Sequence, residues 1–368
     1  MLDGVSFFAA ILRPILYRVG GRSRPSGPVL GLLGVLTLFV LLLAWENKLG
    51  YFLRLENVQI ILHRNCVTAV AALGMLLVIV SGGIDLSVGS VVALVTVTAM
   101  QVYRMVYDGP EHALPEALLG RLEPHGLLWK GTGSVALASA AAIVAGVGVG
   151  GICGWTNGMV VTRLRVAPFV ATLGMMSIAR GLAVWLAGRT RISFRGALPE
   201  WVLAIGSTRS PYLVDPGVRS ALLLAAAMWI VLRYTVFGRY CFAIGSNEAT
   251  ARLCGVRVDR HKVWIYTLAG LLAGWAGILV FAQNGAGDPN SSVGLELDVI
   301  AAVVIGGAAL TGGQGTISGT LLGVLILGLL ENGVSFFDVP VEVKYILIGV
   351  IVIVNTALSG WQRKRDVS

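Results

Sequence analysis

Apolar runs of about twenty residues, separated by short polar, basic or glycine-rich stretches, recur along the whole chain. A helix needs roughly 20 apolar residues to cross a bilayer. Inside lipid only a helix or a closed barrel satisfies its own backbone polar groups, and runs of this length are too long for strands. The pattern therefore predicts an all-α polytopic membrane protein. Candidate spans cover residues 29–45, 57–80, 86–106, 134–162, 167–187, 218–236, 262–283, 298–310, 316–334 and 343–359, about ten transmembrane helices. The eighth is short and bounded by glycines, so it is expected as a half-helix or a re-entrant segment near 298–310. Charged residues make up 13% of the chain, about half the share of a soluble domain, and the mean hydropathy is +0.82.

The formal charge of +9 does not indicate nucleic-acid binding, because the basic residues sit at span ends rather than on one polar domain. Arg13, Arg18, Arg22 and Arg24 precede the first span, Arg163 and Arg165 follow the fourth, and Arg363, Lys364 and Arg365 close the chain. Arg233, Arg239, Arg252, Arg257, Arg260 and Lys262 surround the sixth and seventh spans. With about ten crossings these groups share one side, and positive residues mark the cytoplasm. Both termini are then cytoplasmic. Lys48, Arg121, Lys130, Arg189, Arg191 and Arg195 fall opposite, so the bias is not absolute. The organisation is a basic N-terminal segment (1–28), a transmembrane domain (29–359) and a basic tail (360–368). Residues 4–18 fit a short interfacial helix or a disordered tail equally.

Lipid gives helices no hydrophobic reason to associate, so smooth faces of small residues must bring them together. Gly146, Gly150, Gly154 and Gly158 form such a stripe, as do Gly315, Gly319 and Gly323, and the pair Gly270 and Gly274. SGGIDLSVGS (81–90) is weakly echoed by TGGQGTISGT (311–320). Each stretch joins two apolar runs, and Gly82, Gly83, Asp85, Gly312 and Gly313 mark expected helix breaks of the kind transporters place near the transport path.

No catalytic constellation appears. The four cysteines contain no CxxC pair and the histidines are scattered, so no metal site is expected. LTGGQG (310–315) looks like an ATPase signature, but no phosphate-cradling GxxxxGK[ST] loop accompanies it. Neutral polar groups in or beside spans, Asn157, Thr172, Gln283, Asn284 and Asn332, are candidates for a path that exchanges hydrogen bonds with an uncharged, hydroxyl-rich solute. The alternative is that each bonds to a neighbouring helix. Asp85, Glu296 and Asp298 sit at span ends, where acids cap helices.

One polar, basic stretch interrupts the apolar blocks, FGRYCFAIGSNEATARLCGVRVDRHK (237–262). Gly245-Ser246-Asn247 breaks the chain and caps a two-turn helix from Glu248 to Cys254, which Gly255 ends. So short a helix needs packing from elsewhere. Glu248→Pro is expected to break it.

GSNEATARLCGV in this stretch resembles the cytoplasmic coupling loop of ABC-importer permeases. Together with GMLLVIVSGGIDLSVGSVVAL (74–94), VAPFVATLGMMSIARG (166–181) and LELDVIAAVVIGGAALTGGQGTISGTLLGVLILGLLENG (295–333), the chain is similar to the permeases for ribose, xylose, galactose and related sugars over about residues 55–358. The resemblance implies a permease in the bacterial inner membrane that binds no cofactor of its own. Its partners would be a cytoplasmic ATPase holding ATP and Mg, a periplasmic binding protein that delivers the sugar, and a second permease subunit, identical or different. Gly245, Ser246, Asn247, Glu248, Ala249, Thr250, Ala251, Arg252 and Gly255 would form the ATPase-coupling element. Permeases for nucleosides or branched-chain amino acids, and an autonomous ion-coupled carrier, are the competing readings. The resemblance gives no help with the N-terminal extension or the outer segment 107–133.

Overall fold

The computed structural model describes residues 27–109, 131–194, 199–207 and 214–337, with positions 346, 349 and 350. The expected N-terminal segment, the tail and most of the tenth span lie outside the described residues.

Long helices dominate. They are α1 (Gly27–Trp45), α2 (Leu49–Phe52), α3 (Leu55–Val80), α4 (Val88–Tyr107), α5 (Val135–Arg163), α6 (Pro168–Leu186), α7 (Glu200–Gly206), α8 (Pro216–Tyr234), α9 (Val236–Ser246), α10 (Glu248–Leu253), α11 (Val258–Asn284), α12 (Leu295–Ile305) and α13 (Ile317–Val334). Seven of these, α3, α4, α5, α6, α8, α11 and α13, are long and apolar enough to cross a membrane. The expected short eighth segment is α12, whose 11 residues span only about 16 Å against a hydrocarbon core of about 30 Å. One departure from an all-helical fold is a two-residue antiparallel pair, β1 (Ile192–Ser193) with β2 (Ala286–Gly287). It ties the segment after α6 to the segment after α11.

α3, α4 and α11 form the centre, with most of their apolar windows buried. The glycine stripes explain why they pack closely. A Cβ at Gly150 would run into the Gly270 carbonyl, and one at Gly154 into the Tyr266 carbonyl, so α5 and α11 meet backbone to backbone. Gly319 and Gly323 face the Gly306 and Ala302 carbonyls, which seats α13 on α12. These approaches are the small-residue packing that lipid-embedded helices require.

Candidate functional site

The polar stretch after α8 is more helical than its sequence suggested. Val236–Ser246 forms an 11-residue helix, α9, where the sequence reading placed none. Thr235 caps it by accepting from the Gly238 N–H at 3.3 Å, and Cys241 and Ile244 are buried beneath it. Asn247 then adopts an extended conformation and its side chain accepts from the Thr250 N–H at 3.0 Å, starting α10. Gly255, at φ +84°, turns the chain away. That left-handed conformation is open to glycine at little cost.

α10 is pinned from within the chain. Its Ala251 packs with Ile244 and Val258 in a small apolar cluster. The Glu248 carboxylate accepts from Lys262 Nζ at 2.6 Å and from Arg252 Nη2 at 3.0 Å, and Arg252 also bonds Asp259. Partial burial opposes ionisation of Glu248, but the Lys262 and Arg252 hydrogen bonds outweigh it and hold the carboxyl below its usual range. Ser246, Asn247, Ala249, Thr250, Arg252 and Gly255 are exposed. So is Leu253, at 89%. The sequence reading did not single out Leu253, although a leucine on the open side of a two-turn polar helix is a recognisable signal.

Glu248 occupies the first helical position. Proline is accommodated there because no intrahelical hydrogen bond is lost, and the extended Asn247 before it suits proline as well. The expectation that Glu248→Pro breaks the helix is therefore corrected. The N–H that closes the first turn belongs to Ala251, which donates to the Asn247 carbonyl at 3.0 Å.

The root of this element meets both expected helix breaks. The chain leaves helix between α3 and α4 and again between α12 and α13, with Gly82, Gly312 and Gly313 at positive φ. Gly313 N–H donates to the Val80 carbonyl at 2.8 Å, joining the two breaks directly. Gly245 lies between them: a Cβ there would enter the Val80 carbonyl oxygen and come within 2.6 Å of Gly313 N. Gly312 in turn faces the Gly245 backbone and the Gly82 Cα: a Cβ on Gly312 would come within 3.0 Å of each Cα. Three glycine-bearing segments, distant in sequence, thus converge at the base of α9–α10.

The first break also carries a buried polar chain. The Asp85 carboxylate accepts from Ser87 N–H and Ser87 Oγ–H at 2.8 and 2.6 Å, and Ser87 Oγ accepts from Asn157 Nδ2 at 3.0 Å. Asp85 therefore braces the break; the N-cap position of α4 belongs to Ser87, with no side-chain cap bond. Thr172 Oγ1 donates to the Pro168 carbonyl at 3.0 Å and lies 3.3 Å from the Ile84 carbonyl, bringing α6 to the same break. Gly83 lies against the Tyr266 hydroxyl, which is buried without a hydrogen-bond partner among the described residues. Glu296 and Asp298 stand in the first turn of α12, as expected.

Asn157 and Thr172 are thus brought together, and the other path candidates are not. Asn332 exchanges reciprocal hydrogen bonds with Asn57 at 2.8 and 2.9 Å. Gln283 donates to the His63 carbonyl at 2.8 Å. Asn284 is exposed, and its carbonyl accepts from Arg191 at 2.5 Å. Gln283 borders a buried pair that sequence reasoning missed: His63 Nδ1 lies 2.7 Å from the Asp215 carboxylate, which also caps α8 through the Val218 N–H. His63 and Asp215 stand 152 positions apart, so nothing local announces them.

Residues 57–356 match the family described as "Branched-chain amino acid transport system / permease component". The ribose import permease protein of Escherichia coli (strain K12) is 36% identical over 328 residues, covering 86% of this chain and 92% of that protein. The ribose import permease protein of Bacillus subtilis (strain 168) is 34% identical over 339 residues, covering 92% and 93%. The fructose import permease protein of Rhizobium meliloti is 32% identical over 324 residues, covering 86% and 81%. No solved structure matches. With a family match that runs from the start of α3 to beyond α13, and relatives aligned over nearly their whole length, the chain belongs to the branched-chain amino acid transport system / permease component family.

Proposed function

We propose that this chain is the membrane permease subunit of an ATP-driven importer whose solute is a sugar of the pentose or hexose class. The relatives named as ribose and fructose import permeases support the sugar. Asn157, Thr172 and the buried Tyr266 hydroxyl offer neutral partners at the first break, where the Asp85 carboxylate is already engaged by Ser87, and hydrogen-bond exchange with such groups suits an uncharged solute. The chain crosses the inner membrane about ten times, with both termini in the cytoplasm. A periplasmic binding protein delivers the sugar, and a second permease subunit completes the pore.

The single observation that carries the mechanism is the glycine junction. α9–α10 presents an exposed outer face, and its base is wedged at Gly245 between the two helix breaks. A cytoplasmic ATPase that seats Asn247, Ala249, Thr250, Arg252 and the exposed Leu253 pushes on Gly245. Because protein interiors pack too densely to absorb such a push locally, the breaks at Gly82 and at Gly312–Gly313 move with it. Access then alternates without chemistry in this subunit.

The test is reconstitution in proteoliposomes with the cognate ATPase and binding protein. Labelled ribose should accumulate only with ATP and the binding protein. Leucine uptake without sugar uptake would move the assignment to branched-chain amino acids. Uptake driven by an ion gradient with no ATPase would overturn the importer reading.

A further inference from the structure

The contact between α5 and α11 leaves a groove of about 620 Å³ along its flank. Its floor includes Gly148 and Gly151, where missing side chains lower the helix surface; a Cβ at Gly148 would meet nothing within 4 Å. Trp155 and Trp264 line it and are 50% and 60% exposed. At the end nearest α10 stand Arg163 and Arg260, both exposed and neither in an ion pair among the described residues. The one acid at that end, Asp259, is already engaged by Arg252.

The dimensions fit one leaflet. From Arg163 to Gly148 is about 22 Å along α5, and from Arg260 to Leu271 about 16 Å along α11. Half of a bilayer's hydrocarbon core is about 15 Å. The groove therefore runs from the depth of a headgroup into the region of acyl chains. Trp264, about one helical turn from Arg260, suits the interface, and two free guanidiniums suit a phosphate.

We propose that this groove binds one anionic glycerophospholipid of the leaflet on the α10 side, with its phosphate on Arg163 and Arg260 and an acyl chain over Gly148. Charge complementarity selects this occupant over a second copy of the chain. Two copies share one membrane orientation, so a self-complementary seam at this face would hold the free arginines of both at the same depth.

Native mass spectrometry of the purified chain tests the assignment, with phosphatidylglycerol and phosphatidylcholine of identical acyl chains supplied in equal amounts. The unmodified chain should retain one phosphatidylglycerol with a preference of about tenfold or more, since each basic residue near an anionic lipid contributes appreciably. Arg163→Gln with Arg260→Gln should bring the preference close to one. Gly148→Phe, which enters open space, should reduce retention of both lipids. Unchanged preference in the double variant, or undiminished retention in Gly148→Phe, overturns the proposal. So does disulfide-linked dimer formation in membranes by Ile152→Cys in a Cys254→Ser background, which would give the groove to a second copy.

Discussion

Gly245→Ala is the sharpest perturbation of the coupling junction. One methyl group must enter a space already filled by the Val80 carbonyl oxygen, with Gly313 N at 2.6 Å and the Val80 carbonyl carbon at 2.8 Å. All three are backbone atoms, so no side chain can swing aside. The segments must part, and the 2.8 Å hydrogen bond from Gly313 N–H to the Val80 carbonyl is lost. Overpacking costs about 1–3 kcal/mol and the hydrogen bond about 1 kcal/mol. Together these come to about 2–4 kcal/mol, or roughly a 30- to 700-fold shift between a joined and a parted junction. The assay measures ATP hydrolysis and sugar uptake side by side in proteoliposomes, with a thermal melt of the permease alone. The expected outcome is a lower melting temperature, an ATPase that still binds, and uptake that falls much further than hydrolysis. Gly174→Ala is the control: its Cβ meets nothing within 4 Å on α6, and alanine favours a helix interior over glycine. Uptake and hydrolysis in Gly245→Ala within about twofold of Gly174→Ala would refute the idea that motion passes through this contact.

Ala251→Pro removes the hydrogen bond that closes the first turn of α10 and should cost about 3 kcal/mol locally, abolishing ATPase capture in a pull-down. Glu248→Pro keeps the helix and should retain measurable capture, reduced only by loss of the Lys262 and Arg252 contacts. Asp215→Ala strips His63 of its buried partner and α8 of its cap; an unsatisfied buried group and a lost cap should together destabilise the permease by about 2–4 kcal/mol, read as a lowered melting temperature. The Glu248 carboxyl is held below its usual range in the folded chain, so the folded state binds fewer protons there. That contribution to α10 is present above the ordinary glutamate value of about 4.3 and is lost as the pH falls through the lower, folded value. Because Glu248 is 41% exposed, the loss should be small: protease sensitivity near α10 rises slightly with acid, and Glu248→Gln reduces that dependence, the remainder coming from Asp259, which Arg252 also bonds.

Much of the fold was legible because its signals are local. Apolar length announced the long helices, glycine spacing announced smooth faces on α5, α11 and α13 without saying which helices they meet, and Asn247 and Gly255 announced the ends of α10. α9 was missed because its glycines and aromatics give no helical signal alone; burial of Cys241 and Ile244 supplies the packing that makes it helical. The polar candidates also shared one sequence signature while differing in fate. Asn332 and Gln283 bond to neighbouring helices, whereas Asn157 and Thr172 meet at the first break. The partner of each lies many residues away, and spacing along one helix carries no information about it.

By itself the sequence determined a helical, membrane-embedded chain with one polar element between two spans, because the hydrocarbon length and backbone hydrogen bonding are demands on each segment alone. The tertiary structure decided what that element touches. Gly82, Gly245 and Gly312 each mark a break in the sequence, but nothing in a chain that contains 48 glycines pairs them with one another. Only the arrangement of α3, α9 and the α12–α13 break in space brings them together, because close packing is a property of surfaces that meet and not of any one strip of sequence.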